Sequence, residues 1–61
     1  MPTGKMTLTT AEDFFRTDPT KGSAADLLTV ALGYWLDEMI GDDTFEDKVR
    51  LVRDWLRKEL D

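Results

Sequence analysis

The chain has 61 residues, a net charge of −5, and neither cysteine nor histidine. It is long enough for one domain, which must be stabilised by packing or oligomerisation, since disulfides and the common zinc sites are excluded. The acidic balance disfavours contact with nucleic-acid phosphates, so no nucleic-acid partner is expected. No apolar run approaches the length of a membrane span and no secretory signal pattern opens the sequence, which predicts a cytoplasmic protein with no membrane contact.

The first predicted element is a short helix that follows a loose N-terminal segment. Residues 1–8 show no helical periodicity, which indicates a flexible arm. Thr9 and Glu12 have the spacing of a capping box, so we expect a helix over about residues 10–17. It should end at Asp18-Pro19, because the residue before a proline is disfavoured in the α conformation.

The second predicted helix is the middle one, and it is unusually apolar. Ser23 is a suitable N-cap, and Gly41 is suited to the left-handed position that follows a helix, so we expect the helix to run to Ile40. Its apolar residues cover roughly two-thirds of its circumference. One short helix and one amphipathic helix can hardly cover so much apolar surface, which predicts that the middle helix packs against something outside the chain.

The third predicted helix begins after Thr44, with Asp47 three residues later, and runs toward Leu60. One apolar stripe is predicted to face the core, with Leu51 and Trp55 on its flank. The stripe consists of Phe45, Val49, Val52 and Leu56. The opposite side alternates acids and bases at four-residue spacing, which is typical of a solvated, ion-paired face.

These elements predict an all-α fold, a small three-helix module with one short and two longer helices that forms a single domain over residues 9–61. We expect a homodimer through the middle helix, with two copies antiparallel across a two-fold axis. Trp35 is expected to be buried, whereas Tyr34 and Trp55 suit the core and an interface about equally. The interface candidates are Tyr34, Trp35, Leu36, Met39, Leu51 and Trp55.

The excess of negative charge is confined to residues 23–44, which hold five acidic residues and no base. We interpret its C-terminal part as a patch that steers a basic partner protein. The patch consists of Asp37, Glu38, Asp42 and Asp43. Its spacing is not that of a calcium loop, so no metal site is expected.

The sequence contains no recognisable nucleophile, base or cofactor motif, so we expect neither catalytic residues nor a cofactor. The favoured hypothesis is a non-enzymatic protein–protein interaction module. One alternative is a small acidic inhibitor, of the kind phages and mobile elements encode, whose carboxylates imitate nucleic-acid phosphates and engage a host DNA-binding protein. Such a complex should be sensitive to salt, and binding that survives charge reversal of the acidic patch would exclude this alternative. Another alternative is a small DNA-binding regulator that uses the bases of the last helix, which a gel shift on random duplex would detect.

Overall fold

The computed structural model describes residues 6–60, which form three α-helices: α1 (Leu8–Thr17), α2 (Lys21–Leu36) and α3 (Asp42–Leu60). The prediction of one short and two longer helices, without strands, is confirmed for this part of the chain. None of the three helices is long and apolar enough to cross a membrane.

Helix α1 begins earlier than its sequence pattern suggested. Thr7 is the N-cap, and its hydroxyl oxygen accepts a hydrogen bond from the backbone N–H of Thr10 at 3.2 Å. Thr9, predicted to be the cap, lies inside the helix, as does Leu8 at the end of the predicted arm. Residues 1–5 of that arm lie outside the described residues.

Helix α2 also begins one turn early, because two hydroxyl side chains form a reciprocal cap. The Ser23 backbone N–H donates to the Thr20 hydroxyl at 3.0 Å, and the Thr20 backbone N–H donates to the Ser23 hydroxyl at 2.9 Å. Ser23 therefore accepts the hydrogen bond from the N-cap backbone N–H that glutamate or glutamine usually accepts in a capping box. The prediction that Ser23 is the N-cap was wrong by three residues.

The end of α2 lies at Leu36 rather than at Ile40, because Glu38 and not Gly41 takes the left-handed conformation, with φ of 61°. The Glu38 backbone N–H donates to the Trp35 carbonyl at 3.0 Å, and the Met39 N–H donates to the Tyr34 carbonyl at 2.8 Å. These two bonds form a Schellman motif, which usually places glycine at this position.

Helix α3 begins directly after this turn. The Phe45 N–H donates to the Gly41 carbonyl at 3.0 Å, so Gly41 opens α3 instead of closing α2. Thr44, predicted to be the cap, is the third residue of α3. The carboxylates of Asp42 and Asp43 lie in the first turn, where they complement the positive end of the helix dipole.

Both α1 and α3 pack on α2, and few side chains are fully buried. Leu27 is the largest side chain with no exposed surface in the described part of the chain. The core cluster joins Leu27 to Phe15 of α1 and Val52 of α3. The buried residues are Ala11, Phe15, Ala24, Leu27, Ala31 and Val52. Such a small core gives the fold little stability of its own.

The molecule is a slab of 34 × 29 × 13 Å. Trp35 stacks on Phe45 near the α2–α3 turn, whereas Leu27 and Val52 belong to one core cluster farther from it, so the two helices form an antiparallel hairpin. Helix α1 lies against one side of this hairpin. The radius of gyration is 11.7 Å, above the roughly 10.5 Å expected of a compact domain of this length, because the slab is thin relative to its breadth.

The buried side of α3 is rotated from the predicted stripe. Val52 is buried as expected, but Leu51 and Trp55, predicted as a flank, pack against the core. Leu56, predicted to lie within the stripe, is exposed. Contact with α1 causes the rotation: the rings of Phe15 and Trp55 meet edge to face, with centroids 5.5 Å apart.

Candidate interaction surfaces

A row of leucines runs along α2 and becomes more exposed toward the C-terminal end of that helix. Leu28, Leu32 and Leu36 recur every four residues on α2, so their side chains share one side of the helix. On α3, Val49, Leu56 and Leu60 flank the buried Val52 on the side opposite Leu51 and Trp55, whose ring meets Phe15 of α1. We call the combined surface the leucine face, which consists of Leu28, Leu32 and Leu36 with Val49, Leu56 and Leu60.

The leucine face is exposed along most of its length. Leu32 is 43% exposed, Leu36 66%, Leu56 40% and Leu60 79%, while Leu28 and Val49 are half-buried. Around the α3 half, Leu56 and Leu60 line a shallow pocket of about 340 Å³ together with two arginines, Arg53 and Arg57. An apolar row of this length with a charged rim is typical of a protein-binding surface.

A separate groove of about 500 Å³ lies on the other side of α2. Tyr34 and Met39 lie in its lining next to the Schellman turn, and Asp37 supplies an acidic edge. The lining residues are Met6, Val30, Gly33, Tyr34, Asp37 and Met39. A Cβ at Gly33 would meet no side chain and no other element within 4 Å, so close packing inside this chain does not require the glycine.

The ring of Trp35 closes the α2–α3 turn. It stacks on Phe45 with centroids 4.6 Å apart and an angle of 12° between the planes. Its Nε1–H donates to Oδ1 of Asp42 at 2.7 Å. Trp35 is half-buried rather than fully buried, and one of its faces and its polar atom are engaged within the fold.

The six predicted interface residues therefore lie in four different places. Leu36 is on the leucine face, and Tyr34 and Met39 are in the groove. Trp35 is in the turn, whereas Leu51 and Trp55 are half-buried beside α1. The sequence did not single out Leu28, Leu32, Leu56 and Leu60 as a surface, although the four-residue leucine spacing on α2 was a usable signal.

All four residues of the predicted acidic patch are exposed, at the turn end of the hairpin. Residues 37–47 contain six acids and no base, whereas residues 50–58 contain four bases and one acid. Because α2 and α3 are antiparallel, these segments make one end of the molecule acidic and the opposite end basic. Among residues 6–60, no group of three or more carboxylates is arranged to hold a metal ion.

The strongest electrostatic contact is structural and joins α1 to α3. Oε1 of Glu12 accepts from Nζ of Lys48 at 2.5 Å, and Oε2 accepts from Nε of Arg16 at 2.9 Å. The side chains of Glu12 and Lys48 are each only 19% exposed. The hydrogen bond from Lys48 is the largest cause of the lowered pKa of Glu12; burial opposes it and the bond from Arg16 adds to it. Helical periodicity within one element could not have revealed this pair.

Comparison with protein-family models, curated proteins and solved structures found no match to this chain. No relative therefore contributes to its functional assignment.

Proposed function

We propose that this chain is a non-enzymatic protein-interaction module that forms a homodimer through the leucine face and binds a basic protein partner at its acidic end. The leucine face carries the proposal. Leu32 and Leu36 on α2 and Leu56 and Leu60 on α3 are large apolar side chains that the described part of the chain leaves exposed.

The size of this surface suits a second copy of the chain. The broad side of the slab measures 34 × 29 Å, which accommodates the roughly 800 Å² per partner of a standard interface. Full burial of a leucine stabilises a structure by about 1.5–3 kcal/mol, and a two-fold interface repeats each contact. Dimerisation would also add a second layer to a fold in which only six of residues 6–60 are buried.

Sedimentation equilibrium over a hundredfold concentration range tests self-association. We expect the unmodified chain to dimerise and the Leu36→Asp variant to be monomeric, because a carboxylate would be buried without a partner in the interface. Phe14→Asp is the matched control, since Phe14 is also exposed, at 59%, but lies on α1. A monomeric unmodified chain would refute the proposal, as would equal dissociation of both variants.

The acidic end and the adjacent groove suit a basic partner that carries an apolar side chain. Tyr34 and Met39 offer apolar contacts, and Asp37 and Glu38 place exposed carboxylates beside them. Opposite charges at the rim accelerate encounter and exclude acidic competitors.

A fluorescein-labelled helical peptide of alternating leucine and lysine segments is a suitable probe of this groove, with fluorescence anisotropy as the readout. We expect Asp37→Asn with Glu38→Gln to weaken binding at least fivefold. Asp54→Asn with Glu59→Gln, which removes the same number of charges from exposed positions on α3 away from the groove, should have little effect. Equal effects of the two sets of changes would exclude a specific site at the acidic end.

A further inference from the structure

Four charged residues lie along one side of α3, at the border of the leucine face. Their order along the helix, two acids followed by two bases, determines how two copies can pair. Asp42, Glu46, Arg53 and Arg57 follow one another at spacings of four, seven and four residues, so they form one stripe along the helix. Val49 and Leu60 belong to the same stripe, which places these charges on the border of the leucine face. Glu46, Arg53 and Arg57 are exposed, and Asp42 has one carboxylate oxygen bonded to Trp35.

The two acid–base separations along this stripe share one midpoint. The pair Asp42 and Arg57 and the pair Glu46 and Arg53 are both centred between residues 49 and 50. A second α3 laid antiparallel across a two-fold axis at that point brings Asp42 opposite Arg57 of the other copy. The same operation brings Glu46 opposite Arg53, so both pairs form at once and each forms twice.

The leucines of α2 indicate nearly the same axis. An antiparallel α2 pair centred on Leu32 places Leu28 opposite Leu36 of the other copy and Leu32 opposite itself. Because the rings of Trp35 and Phe45 stack, these two residues lie at about the same position along the hairpin axis. At a rise of 1.5 Å per residue, the midpoints on α2 and α3 then differ by only about 2 Å along the hairpin.

The alternative two-fold arrangement is electrostatically unfavourable. An axis parallel to the helices would lay α2 over α3 of the other copy and would place the two acidic ends together. The six acids of residues 37–47 would then face their own counterparts with no intervening base. Like charges across an interface destabilise it, so the antiparallel arrangement is preferred.

We infer that two copies of this chain associate through their leucine faces with α3 antiparallel to α3, in a register fixed by reciprocal contacts of Glu46 with Arg53 and of Asp42 with Arg57 between copies. This inference rests on the proposed homodimer and adds its orientation and register. The rim pairs act mainly by excluding other registers, while the leucines supply most of the affinity.

Charge reversal at a single rim pair tests the register. In a Glu46→Arg homodimer, residue 46 would face Arg53 of the other copy, so two like-charged positive pairs replace two ion pairs. In an Arg53→Glu homodimer, two like-charged negative pairs appear. A heterodimer of the two variants restores opposite charge at both contacts. We therefore expect each variant alone to dimerise at least tenfold more weakly than the unmodified chain, and their equimolar mixture to dimerise within about threefold of it.

Asp54→Arg and Lys58→Glu form a matched control pair, because they make the same charge changes on α3 at exposed positions off the stripe. Each control alone, and the control mixture, should dimerise like the unmodified chain. Sedimentation equilibrium measures all seven samples, including the unmodified chain, and circular dichroism at 222 nm verifies that the variants are folded.

The outcomes separate the register from the dimer itself. If the unmodified chain dimerises but the mixture of Glu46→Arg and Arg53→Glu does so no better than its components, the register is wrong and the homodimer stands. The register is equally wrong if the control mixture shows the same rescue. If the unmodified chain is monomeric throughout, the proposed dimer itself fails.

Discussion

We expect the ion pair of Glu12 and Lys48 to contribute a measurable coupling free energy that holds α1 against α3. We refer to this pair as the clamp. We consider Glu12→Gln, Lys48→Met and the double variant, which form a thermodynamic cycle. Glutamine retains the shape of the glutamate, and methionine retains much of the apolar stem of the lysine. The cycle isolates the interaction energy of the pair from the other effects of each substitution.

The magnitude follows from how far the pair is shielded from solvent. Exposed ion pairs contribute about 0.2–1 kcal/mol, and hydrogen bonds to charged groups contribute about 1.5–3 kcal/mol. Both side chains are 19% exposed, so we expect a coupling of about 1 kcal/mol at pH 7. In a domain of this size, 1 kcal/mol corresponds to a change in Tm of roughly 4–8 °C.

The pH dependence has a definite sign. The pKa of Glu12 is lower in the folded protein than in the unfolded chain, chiefly because Lys48 donates a hydrogen bond to its carboxylate. Its stabilisation is therefore fully present above the unfolded pKa of about 4.3 and is lost as the pH falls through the folded pKa. The coupling measured at pH 7 should disappear once Glu12 is protonated in both states.

Urea denaturation followed by circular dichroism, at one fixed protein concentration, measures the cycle at pH 7 and near pH 2.5. Asp47 and Arg50 provide the control cycle, because they are 3.9 Å apart and both are more than 60% exposed. Their coupling should be close to zero at both pH values. A Glu12–Lys48 coupling that is absent at pH 7, or that persists unchanged at pH 2.5, would refute the clamp.

Three further substitutions test the fold by the same denaturation assay. Leu27→Ala should lower the free energy of unfolding by about 3 kcal/mol, because it opens a cavity in the core. Leu36→Ala, measured at a dilute protein concentration, should lower it far less. Similar losses in the two variants would contradict the assigned core. Thr20→Ala should cost about 1 kcal/mol by removing the cap of α2, and no loss would show that Ser23 alone caps the helix. Glu38→Gly should stabilise by about 0.5–1 kcal/mol, because glycine adopts positive φ without strain; an equal gain in Glu38→Ala would instead implicate the charge.

The helix count was predictable from sequence, because three apolar periodicities are separated by recognisable breaks. The boundaries were not, because several residues compete for each cap. Thr20 and Ser23 are both good N-caps, and only their reciprocal hydrogen bonds decide which one begins the helix. At the other end of α2, Gly41 offered the expected signal, but the left-handed residue is Glu38, in the turn beside the stacked rings of Trp35 and Phe45.

The surfaces were predictable only in part, because periodicity gives the angular position of a residue on its own helix but not the position of the neighbouring helix. The excess of apolar surface on α2 was foreseen, and Leu36 is one of its most exposed side chains. The rotation of α3 toward Phe15 was not foreseen, since it depends on a contact between α1 and α3. That rotation exposes Leu56 and turns Leu51 inward.

The two ends of the α2–α3 hairpin are anchored very differently. At the turn, a ring stack, the Trp35 indole hydrogen bond and the Schellman bonds hold the backbone in place. Beyond Trp55, by contrast, α3 has no buried side chain up to Leu60, the last residue described. Native-state hydrogen exchange should therefore be slowest around Leu27 and should quicken through the final turns of α3. The leucine face extends onto this weakly protected end, so part of the free energy of any association there is spent on ordering the helix that makes the contact.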